Sequence, residues 1–162
     1  MTTGRWMDTN HVVHVGTSGF IAAYEDIFNG DPASDVVNMK LYDRCTFIIE
    51  LAAGATGTAT LTVESCDDTT PTTSTAVAFT YWVCTTPDTW GEATAAAAAG
   101  FTTTAGANNA YVVEVNSSEL NSTDTYVRLQ MTEVVDSPVD GGIVCILSDA
   151  RYDRGIPLGA LT

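Results

Sequence analysis

Two stretches decide the fold class: residues 44–51, Arg-Cys-Thr-Phe-Ile-Ile-Glu-Leu, and residues 58–64, Thr-Ala-Thr-Leu-Thr-Val-Glu. In the first, Cys45, Phe47, Ile49 and Leu51 alternate with Arg44, Thr46, Ile48 and Glu50. In the second, Ala59, Leu61 and Val63 alternate with Thr58, Thr60, Thr62 and Glu64. A period of two turns one set of side chains inward and the other outward, which is the signature of a half-buried β-strand. The connection Ala53-Gly54-Ala55-Thr56-Gly57 is short and carries glycine, so the two strands are expected to form a hairpin.

The same period continues on both sides. Val77, Phe79, Tyr81 and Val83 read as one strand; Tyr111, Val113 and Val115, then Val127, Leu129 and Met131, then Ile143, Cys145 and Leu147 read as three more. With Val36 to Tyr42 the body has seven expected strands, and the run at Val12, Val13 and Val15 offers an eighth. No strand-helix-strand alternation appears, so the expected fold is all-β: an antiparallel β-sandwich, jelly-roll or immunoglobulin-like, with an extended N-terminal arm. Residues 1–35 are expected to form that arm, with a helical turn offered from Ile21 to Phe28; an arm that packs on a neighbour and an ordinary edge strand plus loop are the two readings of the segment. The sandwich is expected over residues 36–150, followed by an extended tail at 151–162. Thr89-Trp90-Gly91-Glu92 has capping-box spacing, so Ala93 to Ala99 is expected to be a short helix or a low-complexity loop. Asn116 to Glu119 offers a single helical turn.

Composition supports the strand reading. The chain has 162 residues, enough for one domain with a sizeable core. Twenty-six are threonine, a β-branched type suited to pleated surface. Six basic residues face 20 acidic ones, giving a net charge of −14. A single lysine and five arginines cannot neutralise a run of phosphates, so nucleic acid is not an expected partner, and an anionic membrane is disfavoured for the same reason. The acidity serves either solubility or docking on a basic partner surface. The N-terminus, MTTGRWMDTNHVVHVG, lacks the basic stretch and apolar core of a secretory signal.

Sites for chemistry are thin. His11 and His14, three apart on a strand, face opposite sides, so they do not share a metal; Cys45, Cys66, Cys84 and Cys145 are scattered singly without zinc-ligand spacing. Free, mostly buried thiols are expected, with a cross-strand disulfide the alternative. Gly16-Thr17-Ser18-Gly19 lacks the spacing of a nucleophile elbow. Asp67 and Asp68, before a Thr/Pro loop, leave a glycosidase pair or a calcium site open, although a solvated turn is the simpler reading. No catalytic residue, metal or cofactor is therefore expected. Trp82 stands on the outward phase of its strand and calls for a cover, from the 85–109 loop, a partner or a ligand.

The blocks YDRCTFIIELAAGATGTATLTVESCDD (Tyr42 to Asp68), AGANNAYVVEVNSSEL (Ala105 to Leu120) and TYVRLQMTEVVDSPVDGGIVCILSDARY (Thr125 to Tyr152) resemble the virion structural proteins of tailed bacteriophages, of the head decoration or cement type. The span they mark is about two-thirds of the chain. The resemblance implies a small β-rich protein, made in the host cytoplasm and carried in the virion. It also implies two kinds of partner, the major capsid protein and further copies of the chain itself, often as trimers. A tail or connector component, and a carbohydrate-binding or hydrolytic module, are the rival readings. Contacts are expected at the two unpatterned ends: Arg5, Trp6, Met7, His11, Val13 and Val15 in the arm, and Arg151, Tyr152, Arg154, Ile156 and Leu158 in the tail. Trp, Arg, Met and Tyr gathered at such ends match the make-up of interface hot spots.

Overall fold

A computed structural model describes residues 5–16, 26–52 and 56–151. Its strands are β1 (His11–His14), β2 (Val37–Asn38), β3 (Tyr42–Leu51), β4 (Thr58–Cys66), β5 (Ser74–Val77), β6 (Phe79–Cys84), β7 (Thr94–Ala96), β8 (Phe101–Thr102), β9 (Ala110–Asn116), β10 (Tyr126–Val135) and β11 (Gly141–Ala150). They form two antiparallel sheets, one ordered β1-β11-β3-β9-β6-β7 and the other β2-β10-β4-β5, with β8 also on β4.

Pairing runs from the outside inward: β1 with β11, β2 with β10, β3 with β9, β4 with β5. Rolling that nested hairpin over on itself brings β11 beside β3 and β10 beside β4, closing two four-stranded sheets. This is the strand order of a jelly roll, one of the two sandwich types the sequence suggests. The insertion between β5 and β9 then lengthens both sheets: β6 and β7 extend one beyond β9, and β8 follows β5 along the free edge of β4.

The core lies between the sheets and is the inner phase of every long strand. Cys45, Phe47, Ile49 and Leu51 of β3 face Leu61 and Val63 of β4, with Leu129 of β10 and Leu147 of β11 closing the same cluster. Fully burying a side chain such as Phe47 or Ile49 contributes about 1.5–3 kcal/mol each. At one end Phe101 of β8 stacks flat on Tyr81 of β6, centroids 3.8 Å apart, and meets Phe79 and Tyr111. The Tyr111 hydroxyl there accepts a hydrogen bond from the Thr104 amide at 2.8 Å. All four cysteines are free and buried, and the Cys45 and Cys145 Sγ atoms touch at 3.2 Å between β3 and β11.

Several expectations change. Residues 44–51 and 58–64 do not form a hairpin: β3 and β4 belong to opposite sheets, because each uses its inner phase on the other across the core rather than its backbone. The run from Val77 to Val83 is two strands; the chain leaves one sheet at Val77 and joins the other at Phe79. Thr94–Ala96 is a strand on the edge of β6, not a helix. Two turns of alanine have nothing to bury as a helix, whereas the open edge of β6 offers backbone partners. Within Val36 to Tyr42 only Val37 and Asn38 pair as a separate strand, and Tyr42 already begins β3. The boundary expected at residue 35 is no break in the fold. β1 is an edge strand of the six-stranded sheet, Phe28 is fully buried, and the Ser34 amide donates to the Leu129 carbonyl at 2.8 Å. Ser117–Glu119 makes the expected helical turn, of 3-10 type, with the Glu119 carboxylate accepting from the Asn116 amide at 2.7 Å.

Gly100, between β7 and β8, has φ +73°, and a Cβ there would overlap the Leu61 carbonyl oxygen. Gly30 has a similar φ of +76° with nothing near its missing Cβ. Thermal unfolding of the two alanine variants separates clash from conformation. Gly30→Ala is expected to cost about 1 kcal/mol and Gly100→Ala about 2–4 kcal/mol, the second lowering the Tm by about 5–12 °C.

Candidate functional site

The described parts of the two expected contact segments, the residues before His11 and Arg151, meet the sandwich at one corner. Antiparallel register sets His11 opposite Leu147, so the residues before His11 run beside those after Leu147. Trp6–Asp8 is a single 3-10 turn, closed by the Arg5 amide on the Asp8 carboxylate, and it leaves Trp6 54% and Met7 46% exposed. The Asn10 side chain ties the turn down by donating to the Trp6 carbonyl at 2.8 Å. Arg151, at the end of β11, donates its amide to the Leu41 carbonyl at 2.9 Å and its Nε to the Asp43 carboxylate at 2.8 Å. Asp43 also accepts from the Ser117 hydroxyl, so the exit of the chain is pinned to β3 and to the 3-10 turn after β9.

The other expected contact residues fall differently. Val13 and Val15 are buried in the sandwich's own core, so they are corrected from contact residues to core residues; Val13 is on the inner phase of β1, and Val15, just past its end, keeps that phase. His11 is half-buried, its ring stacked on Tyr42 at 6.4 Å, and its Nδ1 has no hydrogen-bond partner among the described residues. Tyr152, Arg154, Ile156 and Leu158 lie outside the described residues, as does most of the 21–28 segment.

A second exposed apolar spot lies at the opposite end of the sandwich and was not among the expected contacts. Val134 and Val135, at the end of β10, are 56% and 43% exposed. The register of β10 on β4 slips between Glu133 and Val135, which spoils the alternation and leaves adjacent valines outside. The signal was in the sequence, since two neighbouring valines cannot both face inward on a regular strand. Carboxylates surround them. Burial first, and then Asp136, Asp26 and Asp31, push the Glu133 carboxyl above the usual carboxylate range.

The remaining chemistry-bearing residues are engaged locally. Asp67 accepts from the Thr73 hydroxyl at 2.9 Å, which holds its carboxyl below the usual range, and Asp68 accepts from the Thr70 amide at 2.7 Å. Among the described residues no three His, Cys, Asp or Glu side chains are grouped closely enough to hold a metal ion, and no helix is long and apolar enough to cross a membrane. No family model matches the chain, and no curated protein or solved structure matches it either.

Burial lowers the His11 pKa, so the folded state favours the neutral ring. Its contribution is whole above the ordinary histidine value near 6.5 and is lost as pH falls through the lowered one. Melting curves between about pH 7 and about pH 5 are expected to show a steeper loss of Tm on acidification in the native chain than in His11→Phe, which keeps the stacking on Tyr42 without a titrating group. Equal slopes would mean that the imidazole stays hydrated.

Proposed function

We propose that the protein is a structural component of a tailed-phage head, a decoration or cement subunit that bridges neighbouring copies of the major capsid protein. The observation that carries this reading is the placement of exposed apolar residues at both ends of a stiff sandwich. Trp6 and Met7 sit beside the exit of the chain at Arg151, and Val134 and Val135 sit among carboxylates at the far end. Ten-residue strands separate the two spots by roughly 30 Å, at about 3.4 Å per residue. A molecule that joins two subunits needs two adhesive patches held at a fixed distance, and a jelly roll with a continuous core supplies the spacer.

The physics of the role is mass action. Each contact that exists only in the assembled shell shifts the equilibrium toward it, and about 800 Å² per partner is the usual size of such a contact. The apolar end with Trp6 and Met7 supplies hot-spot residue types. The acidic end selects a basic surface on the shell, which adds rate and specificity and makes that half of the contact salt-sensitive. Made in the host cytoplasm, the subunit would travel in the virion; self-association, which the resemblance implies, would multiply the contacts by avidity.

Co-sedimentation with empty heads of the encoding phage tests the reading. The native chain is expected to bind and to raise the temperature at which heads rupture. Trp6→Ala with Met7→Ala is expected to weaken binding about tenfold or more while changing the chain's own stability by only about 0.5 kcal/mol. Failure of the native chain to bind heads would overturn the proposal, and density along the tail in an image of the virion would move it to the connector or tail.

A further inference from the structure

The outer faces of the two sheets differ in kind. The outer face of the five-stranded sheet is polar: Thr60, Thr62 and Glu64 of β4 stand beside Arg128 and Gln130 of β10, with Arg128 Nε on the Glu64 carboxylate at 2.6 Å. The six-stranded sheet carries hydrocarbon on the side that faces away from the core. Register aligns Val144 of β11, Ile48 of β3, Val112 of β9 and Trp82 of β6 in one row across four strands, with the exposed His14 of β1 at its end. Val12 of β1 and Ile146 of β11 pair in the next row. All six apolar residues are half-buried. Antiparallel sheets that face water on one side normally alternate to polar residues there, so this face departs from the pattern that its partner sheet follows.

We infer that the outer face of the six-stranded sheet is where a second copy of this chain packs, face to face. Low charge on this face is what admits a copy of so acidic a chain. The chain carries −14, and two copies repel wherever their acids meet. Yet the row of Val144, Ile48, Val112 and Trp82 contains no carboxylate, and Glu114 in the adjacent row is paired with Arg44 at 3.6 Å. Glu50 is the one acidic side chain of the neighbouring row on β3. The carboxylates instead gather at the sandwich ends and in the loops, so this is the surface on which two such molecules approach at least electrostatic cost.

Size agrees. Six strands of up to ten residues, at roughly 3.4 Å along the strand and 4.8 Å between strands, present about 650 Å². Two faces together remove about 1,300 Å², within the range of stable interfaces. Relief agrees as well. Gly142 carries no side chain beside Glu50, leaving a dent floored by Ile48 and Val144, while the half-buried indole of Trp82 lies at the other end of the row. A two-fold pairing turns the indole of one copy toward the dented side of the other, the self-complementary arrangement that isologous contacts require. The inference is independent of the capsid role, since the face is distinct from both sandwich ends.

Analytical ultracentrifugation of the full chain across a concentration series tests it. The native chain is expected to form a reversible dimer, and Ile48→Glu to weaken it about thirtyfold or more, whereas Thr62→Glu on the polar sheet leaves it unchanged. Both positions face outward, so circular dichroism is expected to match the native chain. Should the glutamate unfold the protein, Ile48→Thr with Val112→Thr keeps β-branched side chains on the strands and is expected to weaken the dimer in the same direction. A monomer at every concentration overturns the inference, whether the face is then bare, taken by residues 152–162 or reserved for another protein. An oligomer that survives Ile48→Glu with its affinity intact overturns it equally. Neither result bears on binding to heads, which the Trp6 and Met7 variant tests separately.

Discussion

Strand β11 lies between β1 and β3, and the rest of the fold depends on that placement. It joins the first strand of the chain to the third, so the sheet is not complete until the last ten strand residues arrive. Backbone hydrogen bonds fix the register along its whole length, from Gly141 opposite Leu51 to Ala150 opposite Tyr42. Gly141 is required there because a Cβ would press on the Glu50 carbonyl. The inner phase of β11, Ile143, Cys145 and Leu147, then completes the floor against which β4 and β10 pack. Shifting this register by one residue would send all three outward, a change that no loop rearrangement restores. Long-range pairing of this kind is slow to form because loop closure precedes its reward.

Much of the fold was legible because the alternation is clean where burial is one-sided. The inner residues of β3, β4, β9, β10 and β11 are those that the period of two selects. What the period does not encode is which sheet a strand joins. Cys45 to Leu51 and Ala59 to Val63 each need an apolar face opposite, and a hairpin neighbour or a strand across the core satisfies the pattern equally. The switch between Val77 and Phe79 is invisible for the same reason, since the alternation runs straight through it while the hydrogen-bond partners change. Alanine at 95 and 96 misleads in a different way: intrinsic propensity points to helix, and tertiary pairing with β6 wins.

The candidate contact surfaces were legible in part. Trp6 and Met7 stand out because no period absorbs them, and the structure leaves them in solvent. Val13 and Val15 carried the opposite signal and were misread because a four-residue edge strand offers too few positions to reveal a phase. Val134 and Val135 close a convincing strand; as neighbours they cannot both face inward, and the register slip at Glu133 leaves both of them out. The outer row of Ile48, Val112 and Val144 was hidden more deeply. Each residue reads as the unremarked half of an alternation, and only registration across strands shows that the outward halves coincide.

That coincidence bears on how such a molecule divides its labour. Stability resides in the layer between the sheets, where Phe47, Ile49, Leu61 and Leu129 are completely buried. Recognition can then be distributed over surfaces that contribute little to folding, because truncating a half-exposed side chain leaves the core packing intact. A strongly acidic chain gains from keeping these surfaces apart. Burial, and then the nearby Asp136, Asp26 and Asp31, raise the proton affinity of the Glu133 carboxyl, so concentrating carboxylates at one end has a cost that a basic partner would relieve. In the two proposed roles, hydrocarbon on one broad face and charge at the ends would give like and unlike partners separate addresses on the same sandwich. Each address draws on a different term: area removed from water on the face, and Coulomb attraction screened over about 10 Å at the end.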